Sequence, residues 1–145
     1  MRTTSVATSL LSVIIAVAFM AHASSGNITA SAFPLKFDTL LTNLGGAYSP
    51  TSGVFTAPVS GLYVFYAQLM NHGQTSGVHW AIDLQGNTIC MNALESGNYY
   101  DKSSCLTTAR VEKGQQVFVR TAEGMTVELQ GSWWCSFAGF LLYPA

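Results

Sequence analysis

The chain has 145 residues, of which 49% are apolar and only 9% charged, with a formal net charge of -1. That length suits one ordinary domain, and the composition excludes a disordered tail. The near-neutral charge, with no run of Lys or Arg, gives no footing on a phosphate backbone, so no nucleic-acid partner is expected.

At the N-terminus Arg2 precedes an apolar stretch over residues 10–20, followed by Ala21, His22 and Ala23. A weakly positive start, an apolar centre and small residues at the end form the pattern of a cleaved secretory signal peptide, cut after Ala23. The apolar run is too short for a membrane anchor, which needs about 20 residues. No later segment is long and apolar enough to span a bilayer, so no membrane span is expected. The expected organisation is a signal peptide over 1–23, a short segment over 24–32 and a globular domain over 33–145. Secretion would place the mature chain where disulfides persist. It would also make the sequon Asn27-Ile28-Thr29 a candidate for N-glycosylation at Asn27.

Further along, apolar and polar residues alternate. Phe33, Leu35 and Phe37 alternate with Pro34, Lys36 and Asp38; Val78, Trp80, Ile82 and Leu84 with His79, Ala81 and Asp83; Met125, Val127 and Leu129 with Thr126, Glu128 and Gln130. A period of two marks half-buried strands. Glycines at short, fairly regular spacing punctuate the runs, as in an all-β sandwich or barrel. No amphipathic helix, heptad, Gly-X-Y tract or internal repeat stands out.

Two segments break the alternation. Residues 62–70 (LYVFYAQLM) and 137–143 (FAGFLLY) are apolar on both faces. A sandwich strand normally shows one face to water. Covering both faces in so small a domain points to a neighbouring subunit, the rival being a loop laid over the outer face.

Nothing in the sequence argues for catalysis or a metal. There is no Gly-x-Ser-x-Gly elbow, no Cys-x-x-Cys, no His-Glu-x-x-His and no EF-hand loop. His72 sits in a turn, and His79 lies on the outward side of its strand. The carboxylates are dispersed. The chain is expected not to be an enzyme and to need no cofactor.

Phe37, Asn43, Tyr48, Phe55, Gly61, Tyr63 and Phe65, in that order and spacing, resemble the C1q-domain signature. Residues 55–65 (FTAPVSGLYVF) are close to the family's usual wording. Residues 136–143 resemble its closing strand, and 111–117 its strand-turn-strand. One departure is Ala67, where the signature has a further aromatic, with Tyr66 one place early. The resemblance implies a ten-stranded jelly-roll sandwich that assembles as a homotrimer, related in shape to tumour-necrosis-factor ligands. Without a collagen-like stalk the chain is similar to short, head-only secreted members. Those include lectin-like pattern-recognition proteins of innate immunity, which bind glycans or microbial surfaces, and the cerebellin-like signalling or adhesion ligands of host receptors. Some family trimers hold calcium with Asp clusters; Asp38, Asp83 and Asp101 are isolated here, so no metal site carries over.

Within this frame Tyr63, Phe65, Phe137 and Phe140 are expected in the core and at the trimer contact. Three cysteines give one pair plus a free thiol, or an intermolecular bridge. Cys105 and Cys135 both read as strand starts that can meet at one end of a sandwich, so that pair is expected. Cys90 is then left buried as a small hydrophobe. Tyr99, Tyr100 and Trp133, in loops, are the expected ligand-binding aromatics.

Overall fold

The computed structural model describes residues 15–30, 34–73, 77–95, 100–122 and 125–145. In chain order the strands are β1 (Ala18–His22), β2 (Asn27–Ala30), β3 (Thr39–Leu44), β4 (Tyr48–Ser49), β5 (Val54–Thr56), β6 (Gly61–Met70), β7 (Val78–Leu84), β8 (Asn87–Leu94), β9 (Lys102–Val111), β10 (Gln116–Thr121), β11 (Val127–Gln130) and β12 (Ser136–Pro144). A 3-10 turn, Ser132–Trp134, precedes β12. Ten strands form two five-stranded sheets, in the orders β3-β1-β12-β6-β9 and β4-β5-β10-β7-β8, and β2 pairs with β11 as a separate ribbon. All the pairings are antiparallel. The strands nearest the two chain ends, β1 and β12, lie side by side in the first sheet. This is the expected jelly-roll sandwich.

Alternation decides the core. In β6, Tyr63, Phe65, Ala67 and Leu69 are fully buried, while Leu62, Val64, Tyr66 and Gln68 are half-buried. The inward residues meet Trp80, Ile82, Val117 and Val119 of the second sheet. At the centre lies an aromatic cluster. Phe19 stacks on Tyr48 at 4.8 Å and meets Phe137 edge-on at 4.9 Å. Phe55 meets Phe65 edge-on at 5.4 Å. Each such pair adds about 0.5–1.5 kcal/mol beyond its burial. Gly139 makes room for the cluster: a Cβ there would stand 2.7 Å from the Phe65 ring and 2.8 Å from the Phe19 ring.

The first sheet corrects the expected domain boundaries. Ala18–His22 pairs with β12 on one side and β3 on the other, and Phe19 and Ala21 are buried in the core. A cut after Ala23 would remove this strand from the middle of its sheet. The domain therefore includes residues 17–22, ahead of the expected start at 33. Of the apolar stretch 10–20, residues 10–14 lie outside those described, and Ala18, Phe19 and Met20 are sheet. The stretch looked continuous because β1 is apolar on its outer face as well as its inner one. Leu35 and Phe37 are buried as expected but lie outside the named strands, where the Leu35 N–H donates to Val119 O of β10 at 2.8 Å, and Phe33 lies outside the described residues.

The cysteine pairing is also corrected. Cys90 is bonded to Cys105 with their Cα atoms 6.1 Å apart, and Cys135 is a buried free thiol. Cys105 is not at a strand start; it lies within β9, opposite Ala67. β8 and β9 are the edge strands of their sheets, so the bridge closes one open side of the sandwich. The Asn92 amide donates to Ser104 O at 2.6 Å and the Trp80 indole donates to the Ser103 hydroxyl at 2.7 Å along the same seam.

Candidate functional site

His22 at the end of β1, Met70 at the end of β6, Lys102 at the start of β9 and Ser136 at the start of β12 all lie at one end of the first sheet. The opposite end carries Ala18, Gly61, Val111 and Pro144. The described connecting residues 23–26, 71–73, 100–101 and 131–135 therefore gather at the end far from the C-terminus.

Asn71 knits these connections together. It is fully buried and bridges Leu129 of β11. Its N–H donates to Asp101 O at 2.7 Å, and its amide donates to Gly73 O and Glu95 O, each at 3.4 Å. The N–H of Glu95 donates to the Asp101 carboxylate at 2.7 Å, and that of His72 to Glu128 O at 2.9 Å. Buried polar groups joined in this way hold loops rigidly. Sequence reasoning had no signal for Asn71 beyond its place in an apparent surface turn.

Against this scaffold lies a cleft of about 420 Å³, lined by Met70, Tyr100, Lys102, Gln130 and Trp134. Met70 and Lys102 are partners across β6 and β9, which puts their side chains on one face. Tyr100 is 56% exposed and Trp134 48%. The ring of His72 lies 6.0 Å from that of Tyr100. The Trp134 carbonyl accepts from the Gln68 amide at 3.3 Å, which ties the 3-10 turn to β6.

Of the three expected ligand aromatics, Tyr100 lines the cleft and Tyr99 lies outside the described residues. Trp133 is exposed but its ring lies 4.5 Å from that of His22, tilted by 32°, and the His22 Nδ1 lies 2.8 Å from Ala23 O. Trp134 is the tryptophan in the cleft. An extended strand would send the two indoles to opposite sides, whereas the 3-10 turn gives them neighbouring directions. The side chain of Asn27 is not among those described; its backbone pairs with Gln130.

Cys135 lies beneath the cleft floor. Its thiol accepts from Met70 N–H at 3.4 Å and donates to Gln130 O at 3.1 Å. Burial pushes its pKa from 9.0 up to about 11. Among the described residues no three His, Cys, Asp or Glu side chains converge as metal ligands, and no helix is long and apolar enough to cross a membrane.

Tyr63, Phe65 and Phe137 are fully buried in the sandwich, whereas Phe140 is 45% exposed on the outside of the first sheet. The pairings place it in a row Leu44–Ala18–Phe140–Val64, beside a second row Met20–Ala138–Tyr66–Leu106. The outer face across β1, β12 and β6 is thus continuously apolar.

The C1q domain family model matches residues 18–142, which begins on the first residue of β1. Complement C1q tumor necrosis factor-related protein 3 of Mus musculus and of Homo sapiens are each 34% identical over 110 residues, covering 74% of this chain and 44% of the relative. The match thus takes in less than half of those relatives' length. Among solved structures, Eiger TNF from S. frugiperda superposes with a TM-score of 0.65 at 16% identity, covering 90% of this chain and 94% of that one. The globular domain of zebrafish complement 1qA protein superposes with a TM-score of 0.59 at 16% identity, covering 89% and 99%. Two stacked five-stranded sheets, a buried signature cluster and a family match over nearly all of the described chain make this protein a member of the C1q-domain family.

Proposed function

We propose that this chain is a secreted, non-catalytic binding module that assembles as a homotrimer and recognises glycans on cell or microbial surfaces, as a lectin-like protein of innate immunity. The observation that carries the assembly is the outer face of the first sheet. Three adjacent strands, β1, β12 and β6, present apolar side chains away from the core, including an exposed Phe140 and a half-buried Tyr66. A continuous apolar face of this kind is rare on a monomer and normal on a subunit. Covering it around a three-fold axis satisfies the doubly apolar strands without a helix.

The recognition half rests on the cleft with its exposed Tyr100 and Trp134. Aromatic faces on rigid loops stack on sugar rings. A trimer would carry three such clefts, and weak sites on one rigid body gain avidity without new contacts. The purified chain should scatter light as three copies of 15.5 kDa at micromolar concentration. It should also bind a glycan array and agglutinate bacteria that display the glycans it binds. A lone monomer removes the assembly reading. A blank array with tight binding to one host membrane protein replaces the lectin reading with a cerebellin-like ligand.

A further inference from the structure

We propose that the Tyr100–Lys102–Trp134 cleft takes a carboxylated pyranose, with Lys102 holding the carboxylate and Trp134 stacking on the ring. This rests on the glycan-binding reading and narrows its ligand class.

Lys102 supplies the charge of the cleft. Among the described residues the ion pairs are Arg110 with Glu112 and Arg120 with Asp83, so Lys102 has no carboxylate partner. The acid beside it in sequence, Asp101, is engaged with the Glu95 N–H. An uncompensated ammonium in a concave, partly apolar site favours an anionic ligand, since the surrounding side chains lower the local dielectric. A single cation with three donors matches one carboxylate.

The other four walls set the shape of the cleft. Trp134 and Tyr100 offer planar apolar surface, and Gln130 brings an amide that both donates and accepts, as ring hydroxyls require. Met70 closes the floor and is itself 6% exposed, pinned through its backbone to Cys135. A volume of about 420 Å³ lies within the roughly 300–1,000 Å³ of small-molecule sites. The Met70 floor is therefore held in place before binding, which removes part of the ordering cost that weakens most sugar sites.

Glucuronate- and glucose-terminated probes differ only at C6, carboxylate against alcohol, and so isolate the claim. The wild-type protein should prefer the glucuronate probe, and the preference should shrink as salt screens the pair. Lys102→Gln should cut glucuronate affinity by roughly ten-fold or more, removing the preference over glucose. Trp134→Ala should weaken both probes. Melting temperature and mass by light scattering, unchanged in both variants, would exclude misfolding. Equal wild-type binding of the two probes overturns the carboxylate assignment while the glycan reading stands. A preference that survives Lys102→Gln overturns the role of Lys102. Binding of an acidic peptide with neither sugar probe bound overturns this inference and the glycan reading together.

Discussion

The phenol of Tyr48 donates to Phe37 O at 2.9 Å and accepts from Phe37 N–H at 3.1 Å, inside a stack with Phe19. Asn43 holds the same residue from the other side, donating to Tyr48 O at 2.9 Å and accepting from its N–H at 3.2 Å. Three signature positions, 37, 43 and 48, are thus one hydrogen-bonded unit that ties the segment before β3 to β3 and β4. Tyr48→Phe leaves a buried N–H and C=O unmet and should cost about 1–3 kcal/mol, read as a melting temperature lower by several degrees. Burial is the main cause that raises the Tyr48 pKa from 10.0 to about 12. The unfolded chain then gives up this proton more readily than the folded one. Its contribution is complete below pH 10 and fades as pH climbs towards 12, by roughly 2–3 kcal/mol for two units. The raised thiol of Cys135 acts in the same direction from pH 9 to about 11. Urea unfolding at pH 8 and pH 11 should show the wild type losing more stability than Tyr48→Phe. Equal losses would mean that the phenol is not buried as described.

At the scale of elements, the seam between β8 and β9 depends on the Cys90–Cys105 bond, which spans 15 residues of sequence. Closing a loop of that length stabilises by about 3 kcal/mol in the chain-entropy account. Cys90→Ser should lose about that much in urea unfolding, whereas Cys135→Ala should keep the bridge. Peptide mapping without reduction should recover 90 with 105, and thiol titration should find one reactive group, only after unfolding. A 105–135 peptide would refute the pairing. The strands themselves were legible, because alternation over 78–84 names an inward face directly and the unbroken apolar run over 62–70 marks a strand covered on both faces. The pairing of Cys90 with Cys105 was not, since β8 and β9 belong to different sheets and meet only when the sandwich closes. β1 was hidden for a related reason: Ala18 and Met20 face outward and Phe19 and Ala21 inward, yet all four are apolar, so no alternation survives to mark a strand. In the cleft, Tyr100 was found from its loop setting. Trp134 was missed because an extended chain would expose only one of the two indoles, whereas the 3-10 turn leaves both Trp133 and Trp134 exposed.

For the molecule as a whole, the question is what covers β1, β12 and β6. Phe140 tests it cleanly because it is exposed in the single chain and sits in the middle of the apolar row between Ala18 and Val64. Phe140→Asp leaves the sandwich itself undisturbed, since the inward neighbours Gly139 and Leu141 keep their contacts. In a trimer the same carboxylate would be buried without a partner in each subunit, at several kcal/mol per copy. The expected result is a folded monomer, with unchanged far-UV circular dichroism and one third of the wild-type mass by light scattering. The cleft residues Tyr100, Lys102 and Trp134 come from a single chain, so the affinity for a soluble monovalent sugar should stay as in the wild type. Binding to a densely glycosylated surface should fall by about 10²–10⁴-fold, the share that linkage of sites contributes. A Phe140→Asp protein that remains trimeric would mean that the outer face is not the contact. A monomer that still binds the dense surface at full strength would separate recognition from assembly, leaving each cleft to act alone.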